Sequence, residues 1–506
     1  MRRRRTVQFA LARLAPMLAL AALLLAGCGS SSATDTPAAT VTKSAGTPTS
    51  GASGNVDWPV FGFDSAHTGV NPHETALNTS TVGGLHRLWS AMLPDVADAP
   101  PVYLHGLRLP DGSTADVLYL TTRDGHLVAV NAASGKMLWS VQNKGVRYTT
   151  SAPAIDPSRD YVYSYGLDGT LRKFAAATGE QVTSGGWPIR ITTMPGTEKE
   201  SSPLNIANGR VYVTTAGYPG DAPPYQGHVV GADLATGAEQ VFNSLCSDKT
   251  HVLSQGECNS NQSGIWARGG AVVEPGTGDM YVTTGNGDWN GRTDWGDSII
   301  KLSRDGLHVL DSYTPANQDV LDSTDADLGS AAPGLLPDIP GARTPHVLIQ
   351  GGKDGKLRLV NRDNMSGQDG PGHLGGELAL LDWPGCQLFT QPLVWQEGGA
   401  VWLTLAGTCG IATYQASADG SGRVNLKMIW QHSGRYTTPV LAGGVVFVAV
   451  SGAVYALDAH SGQELWSSKR ASAGGTIGAL HWESLIVVNG RVYIPDEDGK
   501  LTAYGL

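Results

Sequence analysis

One phrase recurs along this chain: an apolar strand, a Gly turn, a second strand, an (Asn/Asp)-Ala-x-Ser-Gly turn, and a Trp closing a Gly-x-x-x-Trp unit. Its clearest copies are Gly125-His-Leu-Val-Ala-Val-Asn131-Ala-Ala-Ser-Gly135-Lys-Met-Leu-Trp139 and Gly452-Ala-Val-Tyr-Ala-Leu-Asp458-Ala-His-Ser-Gly462-Gln-Glu-Leu-Trp466. A short strand pair cannot bury its apolar faces alone, so repetition at a fixed period specifies a radial all-β array.

Strand pairs of this kind centre on Tyr119/Leu127, Tyr163/Leu171, Tyr212/Val229 and Tyr281/Ile299, then on Leu348/Leu357, Trp402/Ile411, Phe447/Val454 and Tyr493/Leu501. The spacing is about 45 residues, stretched by insertions to about 70 on either side of Tyr281, within the range for four-stranded propeller blades. The expected fold is an all-β, eight-bladed β-propeller of four-stranded antiparallel blades over residues 57–506. It has seven blades if the degenerate Trp402 unit is an insertion. The strand after Gly499 has no Gly-x-x-x-Trp strand behind it, whereas residues 85–89 (Leu-His-Arg-Leu-Trp) form a Trp-ending strand without a blade. This N-terminal strand is expected to close the last blade, leaving no open edge.

The N-terminus carries Arg2 to Arg5, an apolar run from Leu11 to Ala26, and the box Leu25-Ala-Gly-Cys28. Basic, apolar and small-residue regions in that order describe a secretory signal over residues 1–27. Residues 28–56 are Ser, Thr, Ala, Gly and Pro with almost no large apolar side chain, a composition that reads as a flexible tether. Removing the signal takes five Arg and no acid, so 30 cationic side chains face 45 acids, a net charge of −15. Nucleic acid is therefore not an expected partner, since binding it needs clustered cations. Of the five Cys, four remain beyond Cys28. Cys246 and Cys258 flank one loop, and Cys386 and Cys409 bracket one strand unit. An even count in an exported chain suggests two disulfides, with three connectivities open and the two local pairs the most natural.

The box at Cys28 resembles the bacterial lipoprotein signal, in which the Cys becomes the lipidated first residue; an ordinary cleaved signal is the alternative. With Gly29 next, the resemblance implies the outer membrane, facing the periplasm, in a two-membrane cell. The repeat itself resembles the pyrroloquinoline-quinone (PQQ) propeller repeat of the quinoproteins, whose Trp residues dock between blades. The opening Asp57-Trp-Pro-Val-Phe-Gly-Phe-Asp-Ser-Ala-His-Thr-Gly69 resembles the family's entry segment.

That resemblance implies a set of site residues. Quinone chemistry needs a cation to polarise a carbonyl, a carboxylate to accept the alcohol proton and a cationic side chain beside the developing oxyanion. The run from Glu274 to Gly285-Asn286-Gly-Asp-Trp289-Asn290 resembles the methanol- and ethanol-dehydrogenase pattern, which makes Asn286 a candidate Ca²⁺ ligand. Thr314-Pro315 followed by Asp325-Ala-Asp327 resembles the segment that supplies the base, and either Asp inherits that role. Lys353, in Gly351-Gly-Lys-Asp-Gly355, matches the Lys that reaches the quinone oxygens, although an ordinary hairpin Lys has the same surroundings. Glu200 stands at a blade entrance where the family places a Ca²⁺-binding Glu. Trp266 stands about two residues before the expected stacking Trp of the cofactor floor, an offset that favours a blade-packing role over the cofactor floor.

The adjacent Cys pair that roofs the cofactor in the alcohol dehydrogenases is absent. No Cys-x-x-Cys-His is present either, so no haem is expected and an external electron acceptor or protein partner is implied. Two readings follow. One is a lipid-anchored PQQ- and Ca²⁺-dependent dehydrogenase of alcohols or related hydroxylated substrates. The other is a non-catalytic scaffold similar to the lipoprotein propeller that assists outer-membrane protein assembly.

Overall fold

The computed structural model describes residues 55–506. The signal, Cys28 and the tether up to residue 54 lie outside the described residues. The described residues form eight antiparallel sheets, each built on a core of four strands, so the Trp402 unit is a full blade rather than an insertion. Blade 1 comprises Val102–Arg108, Thr114–Thr121, His126–Asn131 and Met137–Gln142. Blades 2 to 7 occupy residues 154–190, 205–243, 272–313, 334–382, 393–433 and 440–467 in turn. Blade 8 takes Ile486–Val488, Arg491–Pro495 and Lys500–Gly505 from the C-terminal end and His86–Met92 from the N-terminal end, which pairs with Lys500–Gly505 as expected.

Middle strands read as nearly continuous apolar runs because a blade is covered on both faces by its neighbours. Val117, Leu118, Tyr119 and Leu120 are all fully buried, whereas the outer strand Met137–Gln142 stays largely exposed or half-buried. The core is accordingly a set of seams: one cluster joins Leu118 and Val128 of blade 1, Tyr493 and Leu501 of blade 8, and Phe447 and Trp466 of blade 7.

The repeat's turn explains those seams. Asn131 Oδ1 accepts the backbone N–H groups of Ala133 (3.1 Å) and Ser134 (3.0 Å), and Asp458 does the same for His460 (3.1 Å) and Ser461 (2.8 Å). The turn then needs a positive φ, 72° at Gly135, and presents a carbonyl to the preceding blade. Trp89 donates its indole N–H to Ala132 O (3.2 Å), Trp139 to Ala176 O (3.1 Å), Trp430 to Ala459 O (2.9 Å) and Trp466 to Leu85 O (2.8 Å). A Cβ on Gly135 would lie 2.6 Å from Trp89, so the Gly is required by both backbone and neighbour.

The entry segment crosses the ring from blade to blade. Trp58 exchanges backbone hydrogen bonds with Tyr103 of blade 1, and Pro59 O accepts from Ile155 of blade 2 (2.8 Å). Ser65 O accepts from Val273 of blade 4 (2.8 Å) and from Asn205 Nδ2 of blade 3 (2.8 Å). Thr68 O and Gly69 O accept from Val394 of blade 6 (3.1 Å) and Leu441 of blade 7 (2.8 Å). The segment thus satisfies inner-strand donors that a ring of blades leaves facing the axis. His67, fully buried, fastens it through Nδ1 to Gly269 O at 2.7 Å.

Both disulfides are the local pairs, Cys246–Cys258 and Cys386–Cys409, as befits a chain folded in an oxidising compartment. No helix among the described residues is long and apolar enough to cross a membrane.

Candidate functional site

In a ring of four-stranded blades, the crossovers between blades and the turns between middle strands emerge on one face. Here they enclose a cavity of about 460 Å³. Thr150 comes from the connection between blades 1 and 2, Lys199 from that between 2 and 3, and Trp266 and Arg268 from that between 3 and 4. Asn286 follows a middle strand of blade 4, Asp325 and Asp327 precede blade 5, and Lys353 turns between the middle strands of blade 5. Both long insertions read in the sequence, on either side of blade 4, therefore supply cavity wall. Cys246–Cys258 staples the first.

Trp266, Asn286, Asp325, Asp327 and Lys353 all line this cavity. Glu200 does not. It lies in the strand Glu198–Glu200, where successive side chains point to opposite faces, so Lys199 faces the cavity and Glu200 turns away. Glu200 is fully buried with both carboxylate oxygens unpartnered, and burial holds its pKa well above the usual carboxylate range.

The remaining residues form one polar cluster. Lys353 Nζ contacts Asp325 Oδ1 at 2.8 Å and also Asp327 Oδ2. Asp327 Oδ1 accepts the backbone N–H of Asn286 at 2.7 Å, and Asn286 Nδ2 donates to Asp325 Oδ1 at 3.3 Å. A carboxylate only accepts, so the Asn286 amide nitrogen must face Asp325. That leaves Asn286 Oδ1 buried with no protein partner. Gly285 lies so close that a Cβ there would sit 2.3 Å from Asp327 Oδ1 and 3.0 Å from Trp266 Nε1.

Electrostatics separate the two acids. Asp327 is largely buried and Asp325 mostly exposed. Burial raises the pKa of Asp327 against the opposing pull of Lys353. Burial also opposes the charge of Lys353, but Asp327 and Asp325 outweigh it and raise the amine's pKa. Behind them Asp297, fully buried, is pushed up to about 8 by burial, with Asp327 and Asp322 adding to the rise; its Oδ1 accepts the N–H of Leu328 at 3.0 Å.

Aromatic rings make up another part of the wall. Trp266 lies 5.9 Å from Phe389, which lies 5.5 Å from Trp482, and Lys353 Nζ is 5.4 Å from the Trp266 ring centre. Phe389, Trp482, Arg268, Thr408 and Arg435 also line an adjoining chamber of about 250 Å³. The disulfide Cys386–Cys409 ties the connection between blades 5 and 6 to the turn between the middle strands of blade 6; these present Gln387 and Thr408 to the main cavity, where Gln387 O accepts the Thr408 N–H at 3.0 Å. The sequence reading does not single out Lys199, Arg268, Asp221 or the Phe389–Trp482 pair: single charged or aromatic residues outside the repeated blade strands carry no periodic signal.

A separate cluster of two carboxylates and an imidazole, Asp98, Glu497 and His481, converges within 4.8 Å. Arg123 already fills it, at 2.9 Å from Asp98 and 2.6 Å from Glu497.

The family model for the β-propeller domain of glucose, ethanol and alcohol dehydrogenases matches residues 58–367. The model for outer membrane protein assembly factor BamB matches residues 397–505. Among solved structures, the chain is similar to quinohemoprotein alcohol dehydrogenase from Comamonas testosteroni, with 16% identity and a TM-score of 0.63 over 89% of this chain and 80% of that one. It is similar to a europium-containing methanol dehydrogenase, with 14% identity and a TM-score of 0.63 over 89% of this chain and 98% of that one. BamB from Moraxella catarrhalis gives 14% identity and a TM-score of 0.38 over 83% of this chain and 100% of that one. No curated protein matches the chain. At these identities the structural likeness speaks for the fold alone.

Proposed function

This chain belongs to the glucose/ethanol/alcohol dehydrogenase β-propeller family, and from that premise we propose that its cavity binds PQQ with a divalent cation and oxidises an alcohol or related hydroxylated substrate. The observation that carries the reading is the convergence of Trp266, Asn286, Asp325, Asp327 and Lys353, from separate stretches of chain, on one cavity. The donor set fits the groups implied. Asn286 Oδ1 is a buried amide oxygen without a partner, beside two carboxylates, which is the oxygen-rich chemistry a hard cation such as Ca²⁺ takes. Trp266 offers a flat face for a flat cofactor.

The chemistry such a quinone supplies when bound is the two-electron oxidation of an alcohol, with the cation as Lewis acid. The chain's own residues do the rest. Asp327 is the proton acceptor, because its partly desolvated carboxylate has the raised proton affinity a general base needs. Lys353 opposes the rise in the pKa of Asp327, pairs with Asp325, and directs one cation toward the site where negative charge develops. Asn286 holds Asp327 in place through its backbone N–H and presents its amide oxygen to the cation. Phe389 and Trp482 restrict water on the side of the adjoining chamber.

In the same reading residues 1–27 are a lipoprotein signal, Cys28 carries lipid, and residues 29–56 tether the propeller to the envelope, so electrons pass to an external acceptor. The BamB match over residues 397–505 favours a second reading, a scaffold for protein assembly on the same fold. Turnover separates them. The protein reconstituted with PQQ and Ca²⁺ is assayed for dye reduction across an alcohol panel; activity that falls far more in Asp327→Asn than in Asp325→Asn supports the dehydrogenase. No dye reduction with any alcohol sinks it.

A further inference from the structure

The cavity wall formed by the connections between blades 2 and 3 and between blades 3 and 4 holds two buried basic side chains, and burial, with Arg268 beside it, lowers the pKa of Lys199 to about 7. Lys199 is 4% exposed and Arg268 is 4% exposed, yet both line the cavity. Lys353 is ion-paired with Asp325 and Asp327, but neither Lys199 nor Arg268 forms an ion pair among the described residues. Lys199 Nζ donates to Thr150 Oγ1 at 3.1 Å and Ser201 Oγ at 3.0 Å, two of its three donor positions. Arg268 donates to backbone carbonyls of Thr150 (3.2 Å), Asp98 (2.8 Å) and Trp482 (3.2 Å). The carboxylate of Asp98 is itself committed to Arg123 at 2.9 Å and His481 at 3.1 Å.

Burying charge without a counter-charge is costly, and burying two side by side more so. Their hydrogen-bond partners in the wall are hydroxyls and backbone carbonyls, not carboxylates. A negative group entering the cavity would meet the remaining donor of Lys199, whose Nζ has two hydroxyl acceptors and the Tyr148 and Tyr218 rings at 5.6 and 6.0 Å, and would favour its charged form, backed by Arg268. The aromatic side of the same cavity, Trp266 and Phe389, selects a flat ligand.

We propose that Lys199, backed by Arg268, is the receptor for a carboxylate carried by a planar aromatic ligand of this cavity. The assignment rests on the quinone-site reading, because PQQ is a planar tricarboxylate, and it gives one of those carboxylates a partner distinct from Lys353. The ligand class is therefore an aromatic carboxylate, and a neutral ring of the same shape is excluded.

Isothermal titration of the full chain with PQQ and with redox-inert benzene-1,3,5-tricarboxylate tests this, alongside the neutral benzene-1,3,5-tricarboxamide. The expected result is binding of both acids, no binding of the amide, and a loss of about tenfold or more in Lys199→Met, the scale of one charge-assisted hydrogen bond. Unchanged affinity for both acids in a folded Lys199→Met protein overturns the inference while leaving the PQQ reading intact. Tricarboxylate binding that needs Lys199, without any PQQ binding, supports the receptor and overturns the PQQ reading. If Lys199→Met fails to fold, the wild-type comparison still decides: equal affinity for amide and acid refutes a carboxylate receptor.

Discussion

Acidification is predicted to loosen the propeller through one residue of its entry segment, His67. The ring is fully buried, with Nδ1 on Gly269 O at 2.7 Å and an edge-on contact to Phe61 at 5.4 Å. Burial pushes its pKa down from 6.5 to about 4. In the unfolded chain the same imidazole titrates near its ordinary value, so between these pH values the unfolded state binds the extra proton. Stability is therefore intact above pH 6.5 and falls as the pH drops toward 4. Each tenfold change in proton affinity is about 1.4 kcal/mol, which makes the loss from this one group about 3 kcal/mol. Other groups titrate in the same window, so the assay compares slopes. Urea unfolding of wild type and His67→Asn is followed from pH 7 to pH 4; Asn is chosen because the backbone here has φ 52°, a conformation Asn tolerates. Wild type should lose about 3 kcal/mol more than the variant over that range. Equal losses would refute the claim that His67 is held neutral in the fold.

Trp466→Ala should cost about 3–5 kcal/mol and lower the melting temperature, because the indole is fully buried and closes the seam between blades 7 and 8 through Leu85 O. The double variant Cys386→Ser/Cys409→Ser should lose about 2–4 kcal/mol in chemical denaturation, with amide exchange rising at Gln387 and Thr408. Lys353→Met should raise the pKa of Asp327 further by removing its one opposing cation, visible as a shift of the Asp327 carboxyl titration to higher pH in NMR.

How far the chain could be read in advance follows from what its parts repeat. Strand pairs from Tyr119/Leu127 to Tyr493/Leu501 were legible because each blade must bury both faces and restate the same turn. Closure by residues 86–92 was legible from the same bookkeeping of unmatched strands. Asn286, Asp325, Asp327 and Lys353 were found by motif order, and they meet because the insertions around blade 4 and the turn at Lys353 open on one face. Glu200 stands apart from the cavity for a simple reason: a one-residue difference on a strand exchanges one face for the opposite one, and Lys199 lines the cavity there. The path of residues 57–71 across several blades carries no period at all. Its backbone hydrogen bonds depend on inner strands contributed by distant parts of the chain.

The proposed cofactor site is tested most directly by titrating PQQ into the purified protein with Ca²⁺ present and again after chelation, with quenching of tryptophan fluorescence as the readout. The predicted result is saturable, stoichiometric binding that requires Ca²⁺ and is lost in Asn286→Ala, which removes the buried, unpartnered amide oxygen of Asn286. Absence of binding at micromolar PQQ, or binding indifferent to both Ca²⁺ and Asn286, would contradict it.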